Sequence, residues 1–158
     1  MAGPGRVRLD ADVDLTKTFA ADQYSRGLQS WRWIGLGRKV PLFTSLFGDV
    51  CFEAEDGYWW LDTVDGTLTK QWETAEELNA ELDTPEGQER YLFGGLVLDA
   101  ELRGLVPGPD QVLGFTVAPS IGGGFGVDNV EVIDFVTRLH MSGQLHDWLR
   151  ATTPSSEA

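Results

Sequence analysis

Residues 40–72 read VPLFTSLFGDVCFEAEDGYWWLDTVDGTLTKQW, and this stretch decides the fold. Four runs rich in β-branched and aromatic residues, 40–47, 50–54, 58–63 and 67–72, are punctuated by Gly48-Asp49, Asp56-Gly57 and Asp65-Gly66. Gly beside Asp supplies the turn chemistry of tight hairpins, so the pattern predicts an antiparallel β-meander. Successive side chains alternate across a strand. Val50, Phe52 and Ala54 therefore share one face and Cys51 and Glu53 the other, while Tyr58, Trp60 and Asp62 oppose Trp59, Leu61 and Thr63. The expectation is one core face and one face that carries carboxylates. Large aromatics first serve to fill cores, yet Trp59 and Trp60 must face opposite sides, which makes one of the two a candidate interface anchor.

On the N-terminal side, Phe19, Tyr24, Leu28, Trp31 and Ile34 recur at three-to-five-residue steps and predict a helix over 15–34, ended by Gly35-Leu-Gly37. On the C-terminal side, Thr74-Ala-Glu-Glu77 is a capping box opening a helix to about Leu82, with Glu76, Glu77 and Glu81 outward. Thr84-Pro85-Glu86 opens another, with Pro at its first position and acid at its positive end. Its apolar set is Tyr91, Leu92, Leu96, Leu98 and Leu102, and Gly104 stops it. Residues 111–117 predict a strand, 119–126 a glycine-rich loop, and 130–150 a closing helix entered through a short strand. Its apolar residues include Val132, Val136, Leu139, Leu145, Trp148 and Leu149. The fold class is α+β, a single domain over 15–150 in which a meander of about four to five strands packs against several helices. A flexible arm is expected over 1–14 and a disordered tail over 151–158. A chain of 158 residues buries roughly 68–70% of its unfolded surface, so its core needs no staples.

The charge is local. From Asp49 to Glu101 there are fifteen acidic residues against Lys70 and Arg90, which equals the chain's whole net charge of -13. A solvated surface explains such a run without any function. A docking face for a basic partner is the functional reading, because a one-signed patch steers association. Direct nucleic-acid binding is excluded, since it requires cations facing phosphates.

Residues for catalysis are scarce. The lone Cys51 allows neither a disulfide nor a cysteine zinc cage, and reads as a small hydrophobe. His140 and His146 are six apart, which does not place two imidazoles on one helical face for zinc. Asp10-Ala-Asp12-Val-Asp14 begins like a calcium loop but has Leu15 and Ala21 where Gly and Glu are needed. Ile121-Gly-Gly-Gly-Phe-Gly126 lacks the Lys-Ser/Thr pair of a phosphate loop and reads as a structural loop. No enzyme, metal or cofactor is expected. Without a signal-like or membrane-spanning segment, the expectation is a cytoplasmic protein with no membrane partner.

Phe47-Gly-Asp-Val50, Asp56-Gly-Tyr-Trp-Trp-Leu-Asp-Thr63, Glu76-Glu77-Leu78, Gly108-Pro-Asp-Gln111, Gly122-Gly-Gly-Phe125 with Asp128-Asn-Val130, and Gly143-Gln-Leu-His146 follow one another in an order that resembles the C-terminal domain of Tdi-type immunity proteins. Those proteins protect bacteria from a DNase effector delivered by type VI secretion. The chain departs from the pattern at Phe115, at the lone Pro119 and at Trp148-Leu149-Arg150, which leaves the cognate toxin open. The resemblance implies a non-enzymatic, bacterial immunity protein whose partner is a nuclease toxin. The candidate toxin-binding residues are Glu53, Glu55, Asp56, Trp59, Asp62, Asp65, Glu73, Glu76, Glu77 and Glu81. The alternative is a small-molecule binding or sensing domain built on an aromatic pocket and the Gly122–Gly126 loop.

Overall fold

The computed structural model describes residues 8–10 and 13–152. The meander is present as β4 (Val40–Ser45), β5 (Val50–Ala54), β6 (Gly57–Asp62) and β7 (Thr67–Trp72). After an N-terminal pair, β1 (Arg8–Asp10) and β2 (Val13–Asp14), short β3 (Thr16–Lys17) adds a fifth strand to the meander, and the antiparallel order is β3-β4-β5-β6-β7. Each expected turn is made, with Gly48, Gly57 and Gly66 all at positive φ. Gly57 is required for a second reason, because a Cβ there would lie 2.5 Å from the carbonyl oxygen of Trp72 where β7 is bulged.

Pairing of Cys51 with Trp60 and of Val50 with Leu61 realises the predicted alternation. The expectation of one face left for carboxylates is overturned, because both faces are covered. On one side Phe43, Cys51, Trp60 and Trp72 pack against α2 (Ala75–Leu82), α3 (Pro85–Leu92) and α4 (Gly94–Leu102). On the other, Val50, Phe52 and Leu61 pack against α1 (Ala21–Leu28), the 3-10 segment Gln29–Ile34 and α5 (Phe135–Thr152). The sheet is thus the middle of three layers. Aromatics fill both sides: Trp60, Trp72 and Tyr91 form one ring cluster, and Phe19 stacks on Phe135 in the other.

A second sheet, β8 (Gln111–Phe115) with β9 (Val130–Asp134), closes one end. The Leu113 amide donates to the Leu46 carbonyl at 2.7 Å, and the hairpin supplies Leu113, Phe115 and Val130 to one core and Val112 to the other.

Helix ends follow the capping chemistry, with adjustments. Thr74 and Thr84 hydroxyls accept from the amides of Glu77 and Gly87 at 3.1 and 3.0 Å. The Glu77 carboxylate reaches back to the amide of Glu73 rather than Thr74. The single helix expected from Pro85 to Leu102 is broken at Phe93, which sits at φ 53 because its ring is held among Phe47, Phe115 and Phe125. The helix expected over 15–34 is only partly α-helical: Thr16–Lys17 is drawn into the sheet edge and Gln29–Ile34 tightens to 3-10 geometry. Leu102 and Trp148, read as core, are 78% and 60% exposed. The expected arm and tail lie mostly outside the described residues. Within them, Arg8–Asp10 pairs with Val13–Asp14, and Ala151 and Thr152 continue α5.

Candidate functional site

The acidic segment divides into two groups that the meander sends to opposite ends. At the β5–β6 turn, Glu53, Glu55 and Asp56 are exposed beside Glu73, Glu76 and Glu77 from the start of α2. The Tyr58 hydroxyl donates to Glu53 at 3.2 Å and feels Glu76, while Lys70 pairs with Glu73 at 2.9 Å and feels Asp56 and Glu77. A hydrogen bond from the Trp59 indole at 3.0 Å holds the Asp56 carboxyl below its usual range. Six predicted residues therefore form one anionic corner around Lys70, with Lys39 also acting on Asp56. It continues onto the outer surface of α2–α4, where Asp83, Glu86, Glu89, Asp99 and Glu101 are exposed.

Four predicted residues do not belong to that corner. Trp59 is half-buried on the other side of the sheet, with the Lys39 ammonium 4.2 Å above its ring, so it is a packed residue and not a free anchor. Glu81 is half-buried and accepts from the Trp72 indole at 2.8 Å, which makes it the partner of a core donor. Asp62 and Asp65 lie at the β6–β7 turn, a strand length or about 20 Å from the corner at ~3.3 Å per residue. The Asp62 carboxylate accepts the amides of Val64 and Asp65, both at 2.9 Å, which shapes that turn. Burial, then the charge of Asp49, pushes its carboxyl up to about 6.

The turn carrying Asp62 abuts a buried polar cluster that the sequence reading did not assemble. Asp49 is 2% exposed; its Oδ1 accepts from the amide and hydroxyl of Thr63 at 2.8 and 2.7 Å, and its Oδ2 from the Ser45 hydroxyl at 3.0 Å. Arg138 on α5 supplies the countercharge and donates from Nη2 to the Thr63 hydroxyl at 3.3 Å. His146, about two turns further along α5, donates from Nε2 to the Thr63 carbonyl at 2.9 Å. Burial pushes the Asp49 carboxyl up, against the pull of these donors and of Arg138. Two of the quoted motifs, Phe47–Val50 and Gly143–His146, thus meet across Thr63. The signal that could have found Arg138 is its spacing: with Phe135, Leu139, Ser142 and His146 it falls on the buried stripe of α5, where an unpaired cation is costly.

A cavity of about 290 Å³ opens beside this cluster between α5 and the loop after β8. Phe115, Ile121, Ile133 and Leu145 form apolar walls, and Arg138 and Glu131 are its charged residues. The glycine-rich loop is structural as expected: Gly122 has φ 105, and a Cβ on Gly123 would overlap the Val117 carbonyl. Phe125 folds back onto Phe93 and Phe115. Cys51 is fully buried, and desolvation raises its thiol pKa far above the ordinary value, which leaves it inert as a nucleophile. Among the described residues no cluster of His, Cys, Asp and Glu is arranged to hold a metal ion, and no helix is long and apolar enough to cross a membrane.

No family model matches the chain, and neither does any curated protein. Among solved structures it is similar to Atu4351 from Agrobacterium tumefaciens, with a TM-score of 0.52 at 17% identity. The match covers 82% of this chain and 66% of that one, and at such identity it shows a shared α+β fold and no more.

Proposed function

We propose that the protein is a non-enzymatic immunity protein that binds and neutralises a cognate toxin, a nuclease effector of type VI secretion, in the bacterial cytoplasm. The observation that carries the reading is the segregation of charge. All the exposed acids of 49–101 but Asp65 gather on the β5–β6 corner and the α2–α4 layer, while the layer made of α1 and α5 mixes both signs, as in the Asp22–Arg26 and Asp147–Arg150 pairs. A nuclease must present cations to phosphates. An anionic layer on a rigid three-layer fold is complementary to such a groove, accelerates encounter and occludes the substrate path. The order of motifs resembling the Tdi-type domain supports the same reading.

The test is co-expression and surface plasmon resonance with the product of the adjacent toxin gene. The triple reversal Glu73→Lys, Glu76→Lys, Glu77→Lys should slow association by about 10-fold or more at low salt, with protection reduced in step. Asp22→Lys on α1 should leave both unchanged. No protection from the adjacent gene product, or equal association by wild type and triple variant, refutes the proposal.

A further inference from the structure

Among the described residues, two buried side-chain donors have no acceptor, the Nε of Arg138 and the indole N–H of Trp33. Both residues line cavities that share His146 as a wall, on either side of the Pro119–Ile121 turn. Buried donors in native folds almost always have partners, and although these two atoms are themselves closed to solvent, each belongs to a residue that lines a cavity. The more enclosed of these openings, walled mainly by apolar side chains, is the 290 Å³ cavity holding Arg138.

Arg138 is held in place rather than draped over the surface. A Cβ on Gly114 would come within 3.0 Å of its Cδ and 3.2 Å of its Nε, so the glycine in β8 makes the room it occupies. Four titratable groups face it. The oxygens of Asp49 are taken by Thr63 and Ser45, Oδ1 of Asp62 takes both turn amides, and neither residue lines the cavity. His146 is tied to the Thr63 carbonyl. That leaves Glu131, paired across the small sheet with Gly114 and lining the cavity within the field of Arg138. The cavity thus offers one cationic donor, one carboxylate and apolar walls.

We propose that this cavity binds a single apolar α-amino acid as its zwitterion, the carboxylate on Arg138, the ammonium on Glu131, and the side chain against Phe115, Ile121, Ile133 and Leu145. A simple carboxylic acid would face Glu131 uncompensated, and a simple amine would face Arg138. An uncharged apolar molecule would answer neither Arg138 nor Glu131, the charged residues of the lining. A zwitterion answers both charges and adds none. The volume is at the lower end of the roughly 300–1,000 Å³ of small-molecule pockets, which suits one amino acid better than a nucleotide. The site is independent of toxin binding, because it lies at the far end of β6 from the anionic corner.

The test is isothermal titration calorimetry and thermal unfolding of the full chain with leucine, methionine and phenylalanine as probes. 4-Methylpentanoate and 3-methylbutylamine serve as the one-charge analogues of leucine. At least one amino acid should bind saturably, about tenfold or more tighter than either analogue, and raise the melting temperature by linkage. Glu131→Gln should weaken binding about tenfold. Removal of Arg138 strips Asp49 of its countercharge, so the cavity-filling Leu145→Trp, with its fold checked by circular dichroism, is the second variant and should abolish binding. Absence of saturation by all three amino acids at about 10 mM, binding of an analogue as tight as leucine, or retained binding in folded Leu145→Trp overturns the proposal.

Discussion

Asp49→Ala should be the most destabilising single change at the buried cluster, and its magnitude follows from the contacts it removes. The substitution leaves the Thr63 amide and the Thr63 and Ser45 hydroxyls without their acceptor. It also leaves the Arg138 guanidinium, whose own pKa burial already lowers, without its largest compensating charge. Stranding a buried charge by deleting its countercharge, here one that reaches it through the Thr63 hydroxyl, costs about 3–5 kcal/mol. A domain of this size shifts its melting temperature by about 2–4 °C per kcal/mol, so the loss is about 6–20 °C. Asp49→Asn keeps an acceptor for Thr63 and should cost less, because it removes the charge and not the hydrogen-bonding carbonyl. Arg138→Met alone should be costly too, by stranding Asp49. The double variant Asp49→Ala, Arg138→Met should be more stable than the sum of its parts by over ~1 kcal/mol, since neither buried charge then lacks a partner. Urea unfolding followed by tryptophan fluorescence measures all four proteins, with equal m-values required for the comparison. A loss below about 1 kcal/mol for Asp49→Ala, or additivity of the singles within about 0.5 kcal/mol, refutes the reasoning.

Asp62 predicts a pH signature. Its folded-state value of about 6 lies above the ordinary 3.8, so the folded chain keeps the proton to higher pH than the unfolded chain does. Its contribution to stability is therefore complete below about pH 4, falls as pH rises to about 6, and is then absent, a difference of about 1–2 kcal/mol after solvent screening of its half-exposed carboxyl. Asp62→Asn should retain the turn hydrogen bonds and flatten that decline; urea midpoints from pH 4 to 8 with the same slope as wild type refute it. Gly143→Ala places a Cβ 2.1 Å from the Ser30 hydroxyl and 2.8 Å from Trp31, so it should cost about 1–3 kcal/mol by prising α5 from the 3-10 segment. A change under ~0.5 kcal/mol in the same assay would count against that packing account. Glu81→Ala should lose about 1–2 kcal/mol through the orphaned Trp72 indole yet leave toxin association untouched, whereas slower association would return Glu81 to the binding face.

Much of the candidate site was legible because it depends on local chemistry. The Asp56-Gly57 turn and the Thr74 cap sit at the two sequence positions that deliver Glu53, Glu55, Asp56, Glu73, Glu76 and Glu77 to one corner. Asp62 and Asp65 were grouped with them by closeness in sequence, but a meander reverses direction at every turn, so successive turns lie at opposite ends. Glu81 was read as outward from helical spacing, and only the position of the Trp72 indole across the α2–β7 contact draws it inward.

The sequence by itself determined the four meander strands, their turns, the two-residue alternation that separates Trp59 from Trp60, and the confinement of net charge to one segment. Each of these follows from backbone preferences and side-chain order over a few residues. Tertiary structure decided what covers the second sheet face, where Phe93 breaks a helix, and how Asp49 comes to share Thr63 with Arg138 and His146. Those outcomes depend on partners 14, 75 and 83 residues apart, whose meeting is fixed by how whole layers pack and by the cost of burying a polar group without a mate. The charge of -13 was visible in the composition; that most of its exposed acids lie on one corner and one helical layer is a property of the packed fold.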